Sequence, residues 1–525
     1  MKPEPTWHAW AIAALFILLA LFTVAPLLVI SVPVLIDYPD HLARMWLQME
    51  LPHRDAADAH YVLDWKLIPN MAMELVVPAL GRLTGLETAG RIFVAMAMLM
   101  PPLACLLLHR ALHGRANLWP LASLLFTYNA VLYWGFLNYL FGLGVALLAF
   151  WLWVISVRIP AVWRAVLFAP VAALLFILHL FAFGVYGLLV LGFEVARRET
   201  PFRHALLARE TVIALMQFVP AGAMWLITLR NGGPLLIDFG DIWLKVNALQ
   251  APMAFGAVPG ALTMALIVPT IVAMRIGTLR VHPWMKFPLL LLGAAALAMP
   301  SWVMGSWGAD MRVPVALPFV LIAGTQVATT RRRAAIFLAA CATIFLVLRV
   351  SALARNWHAI EQDFAEFRTM ATILPRGATL LPVLAPIPDE RQAIPGLPSW
   401  LGGRTKRDYN HMATLAVIDR DAFVPNLFSG WTQISPAPKN RARFVSQDDP
   451  LSPEQLFYGA LPAADRTVVV PPNRLGRPAY WLDWPGKFDY VLWIDFAVPG
   501  PVPSQLQLIA TGSFFRLYRV ARPRE

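Results

Sequence analysis

Residues 162–195 read VWRAVLFAPVAALLFILHLFAFGVYGLLVLGFEV, and whether they form one helix or two decides the topology of everything that follows. One bent helix and two short helices meeting near His179 both suit this composition. An irregular loop at that depth does not, because backbone amides cannot be left unpaired in hydrocarbon. Charge separates the two helical choices. Arg110 and Arg115, Arg158 and Arg164, Arg197, Arg198, Arg203 and Arg209, Arg275, Arg280 and Lys286, and Arg331, Arg332 and Arg333 fall in alternate connections between apolar runs. The intervening short connections hold only Arg230, Lys245 and Arg312. A single helix over 162–195 inverts all later connections and moves the three consecutive arginines to the sparsely charged face. Two helices keep the basic connections on one side, the cytoplasmic side by the positive-inside rule.

With that split the chain carries eleven apolar segments, at about 9–35, 88–108, 117–134, 136–157, 162–178, 179–195, 210–229, 256–274, 286–303, 313–330 and 334–350. The longer ones reach the roughly 20 residues that cross ~30 Å of hydrocarbon. The amino terminus is then cytoplasmic and the part after residue 350 lies outside. Only Lys2 precedes the first segment and no convincing small-residue cleavage site follows it, so a retained helix is expected rather than a signal peptide.

Composition agrees: 58% of the 525 residues are hydrophobic and 14% are charged, and mean hydropathy is +0.60. In a soluble chain a net charge of +12 suggests nucleic acid. Here much of the excess is loop arginine set beside anionic lipid, and no nucleic-acid partner is expected. Cys105 and Cys341 fall in separate segments, so no structural disulfide is expected. The chain has no phosphate-cradling glycine loop, nucleotide motif or zinc spacing, which argues against a nucleotide-driven pump or a kinase.

The first segment runs into VLIDYPDHLARM, residues 34–45. Asp37, Asp40, His41 and Arg44 gather two carboxylates, an imidazole and a guanidinium at the outer surface. Pro39 disfavours helix at Tyr38 but suits the opening of a new one, with Asp37 as its cap. Residues 40–50 then form a short helix carrying Asp40, His41 and Arg44 on neighbouring faces. The plain reading is a capped, solvated turn. Against it, the loop continues through Asp64, Trp65, Lys66, Pro69, Asn70 and Glu74 as a polar, proline-punctuated surface, more like a cavity wall than a connector. A carboxylate there serves as a general base if it reaches an acceptor hydroxyl and partial burial brings its pKa toward neutrality. Asp37, at the junction of helix and loop, is the first candidate. Asp40 is expected to point further into water and to orient His41 or Arg44. The two aspartates and His41 also admit a metal, though their spacing is not diagnostic.

Other external turns add polar points. Arg312 opens a helix just before Val313 and Pro314, where a cation joins free amides in receiving an anion such as a lipid phosphate. Snorkelling or pairing with Asp310 is the plain alternative. Lys245 and His179 are softer candidates of the same kind, and His179 otherwise satisfies a backbone carbonyl. Asn138, within WGFLNYLFG at 134–142, is read as a cap or bridge between helices. Beyond 350, residues 354–370 read as an amphipathic helix, followed by strand-like runs at about 378–384, 467–470, 489–495 and 505–518. Asp408 and His411 share a helical face there, with surface solvation an equal account.

In layout the chain resembles the GT-C superfamily of membrane glycosyltransferases, which use polyprenyl-phosphate or polyprenyl-pyrophosphate sugars. The likeness lies in the inward amino terminus, the long first external loop opening on an acidic residue, the many further helices and the distal exported domain. DYPDH at 37–41 and FVPNLF at 423–428 are also similar to uncharacterised bacterial membrane proteins of the group. The resemblance implies an essential acidic residue in the first loop, which maps onto Asp37 with Asp40 beside it. It implies a donor phosphate held by basic residues of later external loops, here Arg312 and Lys245, with His41 as an addition; Arg44 and His179 complete the substrate-binding candidates.

The expected architecture is an all-α polytopic membrane bundle of about eleven transmembrane helices, residues 1–350 with the 37–87 loop, carrying an extracytoplasmic α/β domain at 351–525. The expected activity is inverting transfer of a sugar from a polyprenyl-phosphate donor to an envelope lipid, glycan or protein, at the outer face of the bacterial inner membrane. No cofactor is required by this reading, and a divalent metal stays open. The rivals are a secondary transporter or lipid flippase, which calls for inverted repeats and ionisable groups near the midplane, and a non-catalytic assembly subunit that uses the acidic loop for docking.

Overall fold

The computed structural model describes residues 6–53, 59–198, 202–231, 237–256, 260–304, 306–328, 332–399, 402–429, 432–443, 449–472, 479–497 and 500–521. Of the residues used above, Lys2 and Arg331, and the side chains of Arg203, Arg230 and Arg332, lie outside that set. The chain forms two compact units. One comprises Met1–Leu28, Leu67–Leu75 and Ile92–Leu353, the other Val29–Lys66, Val76–Arg91 and Ala354–Glu525. The loop pieces 29–66 and 76–91 thus belong by their contacts with the C-terminal residues.

Among the described residues six helices are long and apolar enough to cross a membrane: His8–Leu28, Leu86–His113, Leu137–Ile155, Ala161–Leu178, Arg209–Leu229 and Ile336–Ala371. Shorter apolar helices occupy Leu180–Ala196, Ala261–Arg275 and Pro283–Ala298. The chain is a polytopic membrane protein built on a helical bundle.

In the first unit the decisive run is two helices, Ala161–Leu178 and Leu180–Ala196, with His179 extended between them at φ −169° and ψ 125°. The break leaves no orphan at Phe181, whose N–H donates to His179 Nδ1 at 3.1 Å. Small residues let neighbours close in, as small residues do between membrane helices. A Cβ on Gly192 would lie 2.6 Å from the Pro288 nitrogen, so helices Leu180–Ala196 and Lys286–Ala298 meet backbone to backbone.

Several expected boundaries are corrected. The first α-helix stops at Val24 and gives way to a 3-10 turn, Ala25–Leu28, rather than reaching 35. Pro26 has no N–H to continue the ladder. The expected third span, 117–134, is not one helix. A 3-10 stretch, Trp119–Phe126, is followed by Asn129, whose side chain caps Ala130–Trp134 through Leu132 N–H at 2.9 Å. Gly135, at φ 83°, ends that turn in the left-handed region glycine favours. The tenth segment is a helix over Ala309–Gly324, after which Thr325–Val327 pairs as a strand with Leu279–Val281. The eleventh segment and the helix expected at 354–370 are one element, Arg332–Ala371.

The second unit is mixed α and β. Its main sheet runs in the order Leu506–Thr511, Phe515–Val520, Tyr490–Ile494, Leu380–Leu384. The last two strands are parallel and the other pairs antiparallel. Leu380–Leu384 is apolar and buried at all five positions, as a strand covered on both faces requires. The expected strand at 467–470 is absent. Val468 gives its N–H to Tyr458 Oη (3.0 Å) and its carbonyl accepts from the same hydroxyl (2.5 Å), which takes both of its backbone groups. First-loop residues are woven into this unit: Tyr61–Leu63 pairs antiparallel with Ile434–Pro436, and Arg368 binds both Glu87 (2.6 Å) and Asp419 (2.7 Å). Helix Tyr38–Glu50 packs against Leu415–Arg420 and the turn Met412–Thr414.

Candidate active site

Asp37 is the N-cap residue of helix Tyr38–Glu50, with proline in the first turn, yet its side chain makes no capping bond. It faces His411, whose Nε2 stands 3.7 Å from Asp37 Oδ1. Asp40, expected to point into water, is completely buried. Its Oδ2 accepts the Phe428 N–H at 3.0 Å and lies 3.4 Å from His411 Nδ1. The imidazole therefore stands between the two carboxylates with one ring nitrogen toward each. On the other side of Asp40, Arg44 Nη1 donates to His41 Nδ1 at 3.2 Å, which leaves the His41 proton on Nε2, since a guanidinium only donates. The Phe428 ring closes the group edge-on, 4.9 Å from His411 and 6.0 Å from His41.

Burial sets the electrostatics. It lifts the Asp40 carboxyl well above its ordinary 3.8, against the opposing pull of the Phe428 amide, Arg44 and Thr414. It also lowers His411 from 6.5 to about 3. Both shifts favour the neutral forms of the two groups.

The sequence placed Asp37, Asp40, His41 and Arg44 together and the structure keeps them together. It missed His411 and Phe428 as their partners. Asp408 and His411 are not a pair: Asp408 Oδ2 accepts Thr405 N–H at 2.7 Å in a capping box, while His411 is buried rather than solvated. The FVPNLF stretch was the available signal, since it ends on the residue whose amide holds Asp40.

The other candidates belong to the first unit. Arg312, 4% exposed, donates from Nη1 to the Trp307 carbonyl (3.0 Å) and from Nη2 to Ser306 Oγ (3.1 Å). Its guanidinium lies 4.6 Å from the Phe136 ring and 4.9 Å from Phe181. Phe181 also neighbours His179, at 5.8 Å between rings, and His179 spends Nδ1 as the cap of Leu180–Ala196. Lys245 donates to the Met299 carbonyl and lies 3.7 Å from Asp310, which in turn accepts from Ser301 at 2.7 Å. Asn138 bridges as expected, accepting Met73 N–H (2.7 Å) and donating to the Asn70 carbonyl (2.8 Å) and to Glu74 (3.1 Å). Among the described residues no three His, Cys, Asp or Glu side chains are placed to hold a metal together.

No family model and no curated protein matches the chain. Two solved structures resemble it over 98% of either chain, both of ArnT from Cupriavidus metallidurans. The form bound to undecaprenyl phosphate gives a TM-score of 0.46 at 11% identity, and the apo form 0.46 at 13%. At those values the chemistry has to be argued from this chain's own residues.

Proposed function

We propose that the chain transfers a sugar from a polyprenyl-phosphate-linked donor to a hydroxyl of an envelope lipid, glycan or protein, at the outer face of the membrane. The observation that carries this reading is the Asp37 carboxylate, standing at a helix amino terminus without capping it and faced by a buried imidazole, in a chain whose described residues include six helices able to cross a membrane. Asp37 takes the acceptor proton as the acceptor oxygen bonds to the anomeric carbon. The bond from that carbon to the phosphate oxygen breaks, and its electron pair leaves on the phosphate. Attack opposite the leaving group inverts the anomeric centre. The arginine pattern supports an external position for Asp37, where a lipid-linked donor arrives already activated and nucleotide sugars are scarce. Arg312, Lys245 and His41 stay the candidates for charge on the donor phosphate, each testable alone.

The test is mass analysis of lipids and envelope glycans from a deletion strain carrying either the wild-type gene or Asp37→Asn. The deletion should lack one sugar, the wild type should restore it, and Asp37→Asn at matched protein level should not. Full restoration by Asp37→Asn would remove the base and favour a transporter or an assembly subunit.

A further inference from the structure

His411 stands at the centre of the acidic group, yet the base step described above gives it nothing to do. Its place is a built one. The ring is 5% exposed, its own carbonyl is held by Thr414 Oγ1 at 2.6 Å, and the preceding Asn410 is tied to Asp449 at 2.7 Å. Asp40 Oδ1 and His411 Nδ1 are buried and have no hydrogen bond among the described residues. Buried polar atoms are ordinarily satisfied, and exceptions call for an explanation.

We propose that His411 is the positioning residue of this site: as the Nε2–H tautomer it donates to Asp37 Oδ1, while Asp40, held as the neutral acid, donates to Nδ1 from behind. The inference rests on Asp37 being the base. The directions follow from burial. Asp40 is the more deeply buried carboxyl, and burial outweighs the Phe428 N–H received on Oδ2, which favours the ionised form; the acid proton is therefore assigned to Asp40 and the imidazole lone pair to Nδ1. Burial of both groups acts the same way on their protonation. Of the charged groups on the flanking elements, Arg44 pulls Asp40 toward the ionised form but is outweighed by burial, and Asp408 accepts in its own capping box. The present separations of 3.4 and 3.7 Å are longer than working hydrogen bonds, as is common before substrate tightens a site. One Asp37 oxygen is thereby fixed, which orients the carboxylate that takes the acceptor proton. The acceptor proton ends on Asp37, and no proton passes through the ring.

Two measurements test this on the full-length chain in lipid nanodiscs and in cells. Imidazole nitrogen NMR, with the His411 signal assigned by its loss in His411→Gln, should show the neutral Nε2–H tautomer throughout neutral pH. An imidazolium or an Nδ1–H tautomer there overturns the proposal without reference to activity. In the deletion strain, the sugar lost on deletion should return about 10²-fold more slowly with His411→Phe or His411→Asn at matched protein level. His411→Gln, whose amide reaches the Nε2 position, should recover to within about tenfold of wild type. A wild-type rate from His411→Phe sinks the positioning role while leaving Asp37 intact. A wild-type rate from Asp37→Asn instead removes the base reading itself.

Discussion

Arg164 Nη1 lies 3.1 Å from Glu194 Oε1, with the two side chains 4% and 2% exposed. Along one straight helix, residues this far apart in sequence would sit about 45 Å from each other at ~1.5 Å per residue. The contact exists because the chain reverses at His179. Glu194 also accepts Trp153 Nε1–H at 3.1 Å and is approached by Arg197 (3.3 Å) and Arg198 (3.6 Å). Glu194→Ala therefore strands a buried guanidinium and should cost about 3–5 kcal/mol. Arg164→Ala leaves Glu194 with two other arginines and should cost clearly less. Thermal unfolding of the two variants in nanodiscs checks the order, and equal losses would contradict it.

The Asp40 and His411 shifts make stability depend on pH from both sides. A raised Asp40 pKa contributes stability that is complete below the unfolded value of 3.8 and is lost as pH rises through the raised value. A His411 pKa lowered to about 3 contributes stability that is complete above 6.5 and is lost as pH falls through about 3. Asp40→Asn, which cannot ionise, should flatten the alkaline limb of a plot of melting temperature against pH. His411→Gln should flatten the acid limb. A variant whose curve parallels wild type on its own limb shows that the group named does not govern it.

The hairpin and the site were not equally legible. The split at His179 could be read because loop arginines record orientation independently of local apolarity. The helix expected at 40–50 could be read because Pro39 and the charge spacing act within a few residues, although it opens two residues earlier, at Tyr38, where helix was not expected. The burial of Asp40 could not, since the amide that holds it belongs to Phe428, 388 positions further on. A polar helical face looks solvated until the chain that covers it is known. At 117–134 apolar composition hid a broken element, although Asn129 and Gly135 were in plain view as cap and stop. At 467–470 β-branched residues suggested a strand, but the structure has none, and a tyrosine hydroxyl takes both backbone groups of Val468.

Tyr61 offers a direct test of how the first loop is held. Its hydroxyl donates to the Val424 carbonyl at 2.9 Å and accepts the Val424 N–H at 3.0 Å, all of it buried. Tyr61→Phe orphans both groups and should cost about 1–3 kcal/mol. Hydrogen exchange followed by mass spectrometry should show faster exchange of peptides spanning Val424 in the variant. Unchanged protection would mean that the pairing of Tyr61–Leu63 with Ile434–Pro436 holds the segment without the hydroxyl.

Arg312 carries two separable expectations. Its fork satisfies the Trp307 carbonyl and Ser306 Oγ at once, and its flat face fills the space between Phe136 and Phe181. A lysine ammonium reproduces neither the fork nor the stacking. Arg312→Lys should therefore lower stability by about 1–3 kcal/mol, and Arg312→Ala by more, because it also leaves a cavity between the rings. If Arg312 also receives donor phosphate, adding a polyprenyl phosphate should raise the melting temperature of the wild type, since a ligand of the native state stabilises it by mass action. The same lipid should leave Arg312→Ala unshifted, with Arg312→Lys between them because the charge remains. Equal shifts in all three proteins would assign Arg312 to packing alone and leave the phosphate to Lys245 or His41.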